Sequence, residues 1–216
     1  MANASLPRVV CFDVDGTLVP STTVVLHLAE WLGFTEEFEE LERRYTEGEV
    51  SNGFVAERAA GYFAGISKTD AWDRLGSLPL IDGLEETLAW LRERSIHTLI
   101  GTVTWDFAAE FLSDRYGFDA FCGCRMDTDE KGNLTGSIAQ HIEAEEKAAF
   151  VREFCEEHGF DLSQAAAVGD SRSDLPLFKE VGLAIALNGS PEADAAADVS
   201  IRTNDLRAVI PLLERR

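Results

Sequence analysis

The chain has 216 residues, and 19 Lys+Arg against 39 Asp+Glu give it a formal net charge of −20. A field of that sign repels polyphosphates and anionic lipid, which excludes nucleic acid or a membrane surface as the main partner. With 45% hydrophobic residues and 9% aromatics the chain can bury the core of one large domain, or of a domain carrying a smaller insert, so the charge is not a mark of disorder.

From the start, Met1 to Pro7 carries neither a basic leader nor a long apolar core, and no run of eighteen apolar residues follows anywhere. The expectation is a cytoplasmic protein without signal peptide or transmembrane helix. Residues 8 to 12 (Arg-Val-Val-Cys-Phe) form a short β-branched run that stops at Asp13, the pattern of a strand buried on both faces of a parallel sheet. Cys11 inside it packs as a small hydrophobe. From Thr22 to Ser77 the pattern is helical throughout. Val24, Leu28, Trp31 and Leu32 make one stripe, and Phe38, Leu41 and Tyr45 a second that ends at Gly48. Phe54, Val55, Tyr62 and Phe63 make a third after Ser51, and Trp72 and Leu75 a fourth after a Ser67-x-x-Asp70 capping box. About four short helices with no strand between them result.

After Pro79 helix and strand alternate. Leu84, Leu88 and Leu91 give a helical stripe, His97 to Ile100 a strand, and Phe107 to Tyr116 a helix closed by Gly117. Residues 121 to 138 read as a hairpin turning at Lys131-Gly132-Asn133. Cys122 and Cys124 form a bare C-x-C without a second pair or a nearby histidine, which favours reduced structural thiols over a zinc site. A helix from Ala144 to His158 ends at Gly159, and strands return at Ala165 to Val168, Leu183 to Leu187 and Val199 to Ile201. This alternation implies an α/β fold: a Rossmann-like doubly wound parallel sheet with a helical-bundle cap inserted after the first strand. Residues 1–19 and 78–216 are expected to form the core and 20–77 the cap. No heptad or patch marks an oligomer interface.

Ligands of open α/β sheets bind beyond the carboxyl ends of the strands. There the sequence places Asp13 and Asp15 after the first strand, Thr102 after the second, and Asp170 after the third, with Asp174 four residues on. Four acids converging on one edge repel one another unless a cation sits among them, and all-oxygen ligation points to Mg²⁺. Lys147, one of only four lysines, lies on the apolar stripe of Phe150, Val151 and Phe154 and so starts on a buried face, where it needs an anionic partner. Taken singly, Asp13 and Asp15 read as turn formers, Thr102 as an ordinary strand-end residue, and Asp174 as a cap for the helix beginning at Leu175-Pro176. Lys147 alone could snorkel to the surface.

At these residues the sequence resembles the haloacid dehalogenase superfamily and, within it, the phosphoserine phosphatase branch. Asp13-Val14-Asp15-Gly16-Thr17-Leu18 matches its first motif, Thr102 its second, Lys147 its third and Gly169-Asp170-Ser171-Arg172-Ser173-Asp174 its fourth. The resemblance implies a catalytic set of Asp13, Asp15, Thr102 and Lys147. In it Asp13 attacks phosphorus to form an aspartyl-phosphate, and Asp15 first protonates the leaving alcohol and then activates water. Thr102 and Lys147 hold the phosphoryl oxygens. It also implies that Asp13, the backbone carbonyl of Asp15, and Asp170 ligate Mg²⁺ while Asp174 orders the metal's water shell. An acid at Asp15 favours phosphate esters over haloacids.

The chain departs from the branch where it would read the leaving group. Thr102-Val103-Thr104-Trp105 stands in place of Ser-Gly-Gly-Phe, with Trp105 fitting the core as well as a substrate contact. Thr22 stands where a glutamate would hold the substrate amine, Arg58 is the nearest candidate for the substrate carboxylate, and Arg172 and Ser173 replace Ala-Asn. Thr22, Arg58, Val103, Trp105, Arg172 and Ser173 are accordingly the candidate specificity residues, although Arg58 alone reads as a solvated helix residue. The expected function is a Mg²⁺-dependent phosphatase acting on a small phosphorylated metabolite, phosphoserine first. A sugar phosphate, a phosphorylated amino alcohol or a phosphotransferase reaction are the alternatives, and a non-catalytic phospho-ligand-binding module is the remote one.

Overall fold

The computed structural model describes residues 6–214. The first strand, β1 (Val9–Phe12), is buried along its whole length. Five helices follow before the second strand, and the first four are α1 (Val24–Leu32), α2 (Thr35–Thr46), α3 (Asn52–Ala60) and α4 (Lys68–Leu75). Local chemistry sets their starts. The side chains of Thr23, Ser51 and Ser67 accept the N–H groups of Leu26, Phe54 and Asp70, satisfying donors that have no partner inside the helix. At Ser67 the capping is by the hydroxyl alone. Trp31 and Phe54, which the periodicity puts on buried stripes, are instead 40% and 38% exposed.

The remainder alternates as α5 (Leu84–Glu93), β2 (His97–Trp105), α6 (Asp106–Tyr116), β3 (Ala120–Thr128), β4 (Leu134–Gln140), α7 (Ala144–Glu157), β5 (Ala165–Gly169), α8 (Leu175–Phe178), β6 (Leu183–Leu187), α9 (Pro191–Ala196), β7 (Val199–Ile201) and α10 (Ile210–Leu213). The strands form one seven-stranded sheet in the order β4-β3-β2-β1-β5-β6-β7. All neighbours are parallel except β3 and β4, so the expected hairpin is the antiparallel edge of the main sheet. β2 also runs five residues beyond the expected strand. Its register with β3 shifts between Gly101 and Trp105, so the extension carries Thr102 and Trp105 along a kinked strand end.

Alternation along the strands splits the core in two. Val10, Phe12, Ile100, Val168 and Ile185 face one layer, which merges with the interior of α1–α4 around Phe38 and Phe63. Val9, Cys11, Leu99, Ala167 and Ala184 face the other, closed by Val151 and Phe154 of α7 and by Leu177 and Phe178 of α8. The sheet runs outward from β1 to β4 on one side and from β5 to β7 on the other, which makes the β1/β5 boundary its topological switch point. No helix among the described residues is long and apolar enough to cross a membrane.

Candidate active site

β1 ends one residue before Asp13, whose N–H donates to Val168 O of β5 at 2.9 Å and fixes the residue at the switch point. Asp13 is buried, as is Lys147 on the inner face of α7. Lys147 Nζ donates to Asp13 Oδ1 at 2.7 Å and to Asp174 Oδ1 at 2.5 Å. The apolar stripe read from the sequence thus delivers one ammonium between two buried carboxylates. Burial alone would lower the lysine's affinity for its proton, but the two carboxylates outweigh it and hold that pKa well above its ordinary value.

Asp174 does not cap α8. Its Oδ2 accepts the N–H groups of Asp170 and Ser171, both at 3.0 Å, and so folds the loop after β5 back on itself. Two glycines make the packing possible. Gly16 has φ of +86°, and a Cβ there would fall inside the Asp170 carboxylate; a Cβ on Gly169 would collide with Asp174. Thr17 Oγ1 donates to Asp170 Oδ1 at 3.3 Å.

Oxygen atoms of Asp13, Asp170 and Asp174 lie within 4.8 Å of one another. Burial, then the charges of Asp13 and Asp174, push Asp170 up to about 9, while burial pushes Asp13 to about 7 against the pull of Lys147. Fully ionised, the three carboxylates would carry more negative charge than one lysine neutralises, and without a further cation the cluster keeps protons instead. An all-carboxylate donor set in that condition fits a hard divalent cation.

Asp15 stands two residues past Asp13, with Val24 N–H of α1 donating to its Oδ1 at 2.7 Å. Burial first and the neighbouring Glu42 second push its carboxyl up to about 7. A carboxyl poised there can give a proton and take it back near neutrality.

Beyond these groups opens a cavity of about 210 Å³. Asp13, Asp15, Thr102 and Asp170 line one side of it, and Thr22, Val103, Trp105 and Ser173 also reach it. Lys147 and Asp174 lie buried behind its wall. Arg58 is exposed on α3 and does not line the cavity. Arg172 does not line it either: its guanidinium lies 4.0 Å from the centre of the Tyr45 ring and donates to Val50 O at 2.9 Å, strapping the loop after β5 to the helical block.

Other groups at the site went unremarked in the sequence. Glu42 of α2 lines the cavity, and Asn52 Nδ2 bridges Val103 O at 2.9 Å and Ile142 O at 3.0 Å. Glu143 Oε1 accepts Gly53 N–H at 2.7 Å. The one available signal for Asn52 was its place just after the Ser51 cap, inside a helix where asparagine is a poor former.

The fold and site define a doubly wound α/β protein with a buried, lysine-paired carboxylate at the switch point of its sheet. A family model described as haloacid dehalogenase-like hydrolase matches residues 10–179, and the chain belongs to that family. Over 208 residues it is 24% identical to the phosphoserine phosphatase of Methanocaldococcus jannaschii, covering 96% of this chain and 98% of that one. The phosphoserine phosphatase of Halobacterium salinarum is 28% identical over 198 residues, 91% of this chain and 93% of its own. Among solved structures, a phospho-aspartyl intermediate analogue of phosphoserine phosphatase superposes with a TM-score of 0.84 at 23% identity, covering 96% of this chain and 99% of that one. A HAD family hydrolase from Salmonella enterica serovar Typhi reaches 0.88 at 21% identity, over 97% and 72%.

Proposed function

We propose that the protein is a Mg²⁺-dependent phosphatase that hydrolyses a small phosphomonoester through an aspartyl-phosphate on Asp13. One observation carries the reading: a buried carboxylate at the switch point, tied to Lys147 and grouped with Asp170 and Asp174, with a second carboxyl of raised pKa two residues away. Relatives named phosphoserine phosphatase along nearly the whole chain make phosphoserine the first ester to examine. Residues 20–77 act as the cap over a core formed by 1–19 and 78–216. Four free cysteines suit a reducing, cytoplasmic setting.

Asp13, Asp170 and the backbone carbonyl of Asp15 would hold the metal, with Asp174 behind them. When bound, Mg²⁺ supplies positive charge that offsets the charge of the phosphoryl oxygens and of the carboxylates. Lys147 fixes the Asp13 carboxylate for attack on phosphorus, and the Thr102 hydroxyl steadies the transferred group. As the ester bond breaks, Asp15 gives its proton to the departing alkoxide. The resulting Asp15 carboxylate then takes a proton from the water that cleaves the aspartyl-phosphate, returning Asp13 and releasing phosphate. Phosphate release with Mg²⁺ from p-nitrophenyl phosphate and a panel of phosphomonoesters tests the reading; no release from any of them would overturn it.

A further inference from the structure

The cavity beyond Asp13 has a charge composition that constrains which alcohol can leave. Four carboxylates reach it, from Asp13, Asp15, Glu42 and Asp170, and among the described residues lining it there is no lysine, arginine or histidine. Three of the four serve phosphoryl transfer or the metal. Glu42 does not. It enters from α2, on the side away from the sheet, and its hydrogen-bond partner among the described residues is the Thr23 hydroxyl, which donates to Oε1 at 3.4 Å.

The adjacent arginines give Glu42 no help, because Arg43 pairs with Glu40 and Glu47 and Arg44 with Glu49. Burial pushes the Glu42 carboxyl up, with the Thr23 hydroxyl pulling the other way. Position adds to the argument. Thr23 holds Glu42 while Val24, the next residue, holds Asp15, so the start of α1 sets Glu42 beside the acid that protonates the leaving oxygen. One more group in the lining, the buried Trp105 Nε1, has no hydrogen-bond partner among the described residues. Its need for an acceptor is unmet by the protein. Val25, Val55, Ala56 and Ala59 make an apolar part of that wall, and, Glu42 aside, its other residues are uncharged.

A carboxylate withdrawn from water without a partner is costly, and a ligand cation relieves that cost. A ligand carboxylate at the same place meets like charges and no cationic side chain. We propose that Glu42 is a specificity-determining residue that receives an ammonium group separated from the leaving oxygen by two carbons. The substrates are then phosphorylated amino alcohols, phosphoserine among them through its amine, for which an α-carboxylate is dispensable. The proposal rests on the phosphatase reading above.

The test compares kcat/KM for 2-aminoethyl phosphate, phosphoserine and 2-hydroxyethyl phosphate, with p-nitrophenyl phosphate as the reporter of basic phosphatase chemistry. The amine without a carboxylate should match or exceed phosphoserine. It should exceed the neutral hydroxyl ester by about tenfold or more, the scale of one charge-assisted hydrogen bond. In E42Q that amine-to-hydroxyl ratio should fall to near one, and E42D should recover part of it. A preference for phosphoserine over 2-aminoethyl phosphate, an amine-to-hydroxyl ratio near one in the wild type, or an unchanged ratio in E42Q would each overturn the proposal. Should E42Q fail to fold, the wild-type ratios decide alone. Hydrolysis of p-nitrophenyl phosphate but of none of the three esters would sink this inference and leave the phosphatase reading standing, whereas no hydrolysis of any ester would sink the phosphatase reading itself.

Discussion

The two sides of the cavity are built on different principles. On the sheet side the charged groups are fixed by neighbours: Lys147 by Asp13 and Asp174, Asp174 by two N–H groups, and Asp13 by the backbone of the adjacent strand. On the helical side the wall mixes the apolar Val25, Val55, Ala56 and Ala59 with uncharged polar residues and one half-buried glutamate touched by a single long hydrogen bond. The first arrangement holds charge in fixed positions, as bond making at phosphorus demands. The second leaves room and charge to be matched by a ligand. On the proposed reading, chemistry and selectivity are carried by separate segments of chain.

The sharpest way to break this division is at its rigid half. D13N should cut phosphate release by about 10³-fold or more while leaving the far-ultraviolet dichroism spectrum unchanged, since it removes the nucleophile with little change of volume. Retained turnover would remove Asp13 from that role. K147M should cost about 3 kcal/mol or more in urea unfolding, because it strips the cation from two buried carboxylates. A loss below about 1 kcal/mol would show that those carboxylates do not depend on the ammonium.

The same cluster sets a pH dependence. In metal-free protein Asp170 is pushed up to about 9 and Asp13 to about 7, both above the ordinary value of about 4 that an unfolded chain shows. Between those limits the folded state keeps protons that the unfolded chain has released, so stability is greatest at the acid end and declines as pH rises. With EDTA present, the urea midpoint should fall from pH 5 to pH 8. D170N should flatten the decline, and Mg²⁺ should offset it. A midpoint that rises over this range would contradict the charge arrangement.

Smaller effects sharpen the boundary between the halves. N52A leaves the carbonyls of Val103 and Ile142 without their bridging amide and should cost about 1–3 kcal/mol in thermal or urea unfolding. R58A should change kcat/KM for any ester by less than about twofold, as expected of an exposed residue outside the cavity. A larger loss would bring Arg58 back to the substrate.

What the sequence made legible follows the same split. A β-branched run that ends on Asp13, a lysine on an apolar stripe, and acids at strand ends are patterns with a physical meaning in one dimension, and they located the sheet edge. Glu42 carried no such mark. It belongs to a helix with glutamates at 36, 37, 39, 40 and 42, and nothing local distinguishes the one that turns inward. Arg172 was read as a substrate contact because it sits inside a motif, yet its side chain reaches Tyr45 and Val50, a direction fixed only by where α2 and the following loop pack. Asp174 preceded a proline-bearing helix start and so resembled a cap, but the backbone N–H groups of Asp170 and Ser171 in the loop just before it claimed its oxygen. The end of β2 was cut short because Gly101 interrupts the apolar run, whereas in the sheet that glycine makes room for Cys11 and Lys147.

The pairing of β1 sets a timetable for the chain. Lys147 is 134 residues from Asp13, and Asp170 is 153 from Thr17. At about 5–20 residues per second, a ribosome takes about 8 to 30 s to travel that second distance. Through that interval the central strand has at least one of its two edges unmatched, both of them until β2 is made, while α1–α4 can already begin to assemble. The active site is therefore among the last features to exist on a growing chain. Slowing translation between residues 140 and 165 would lengthen the period in which β1 has an open edge and is exposed to aggregation.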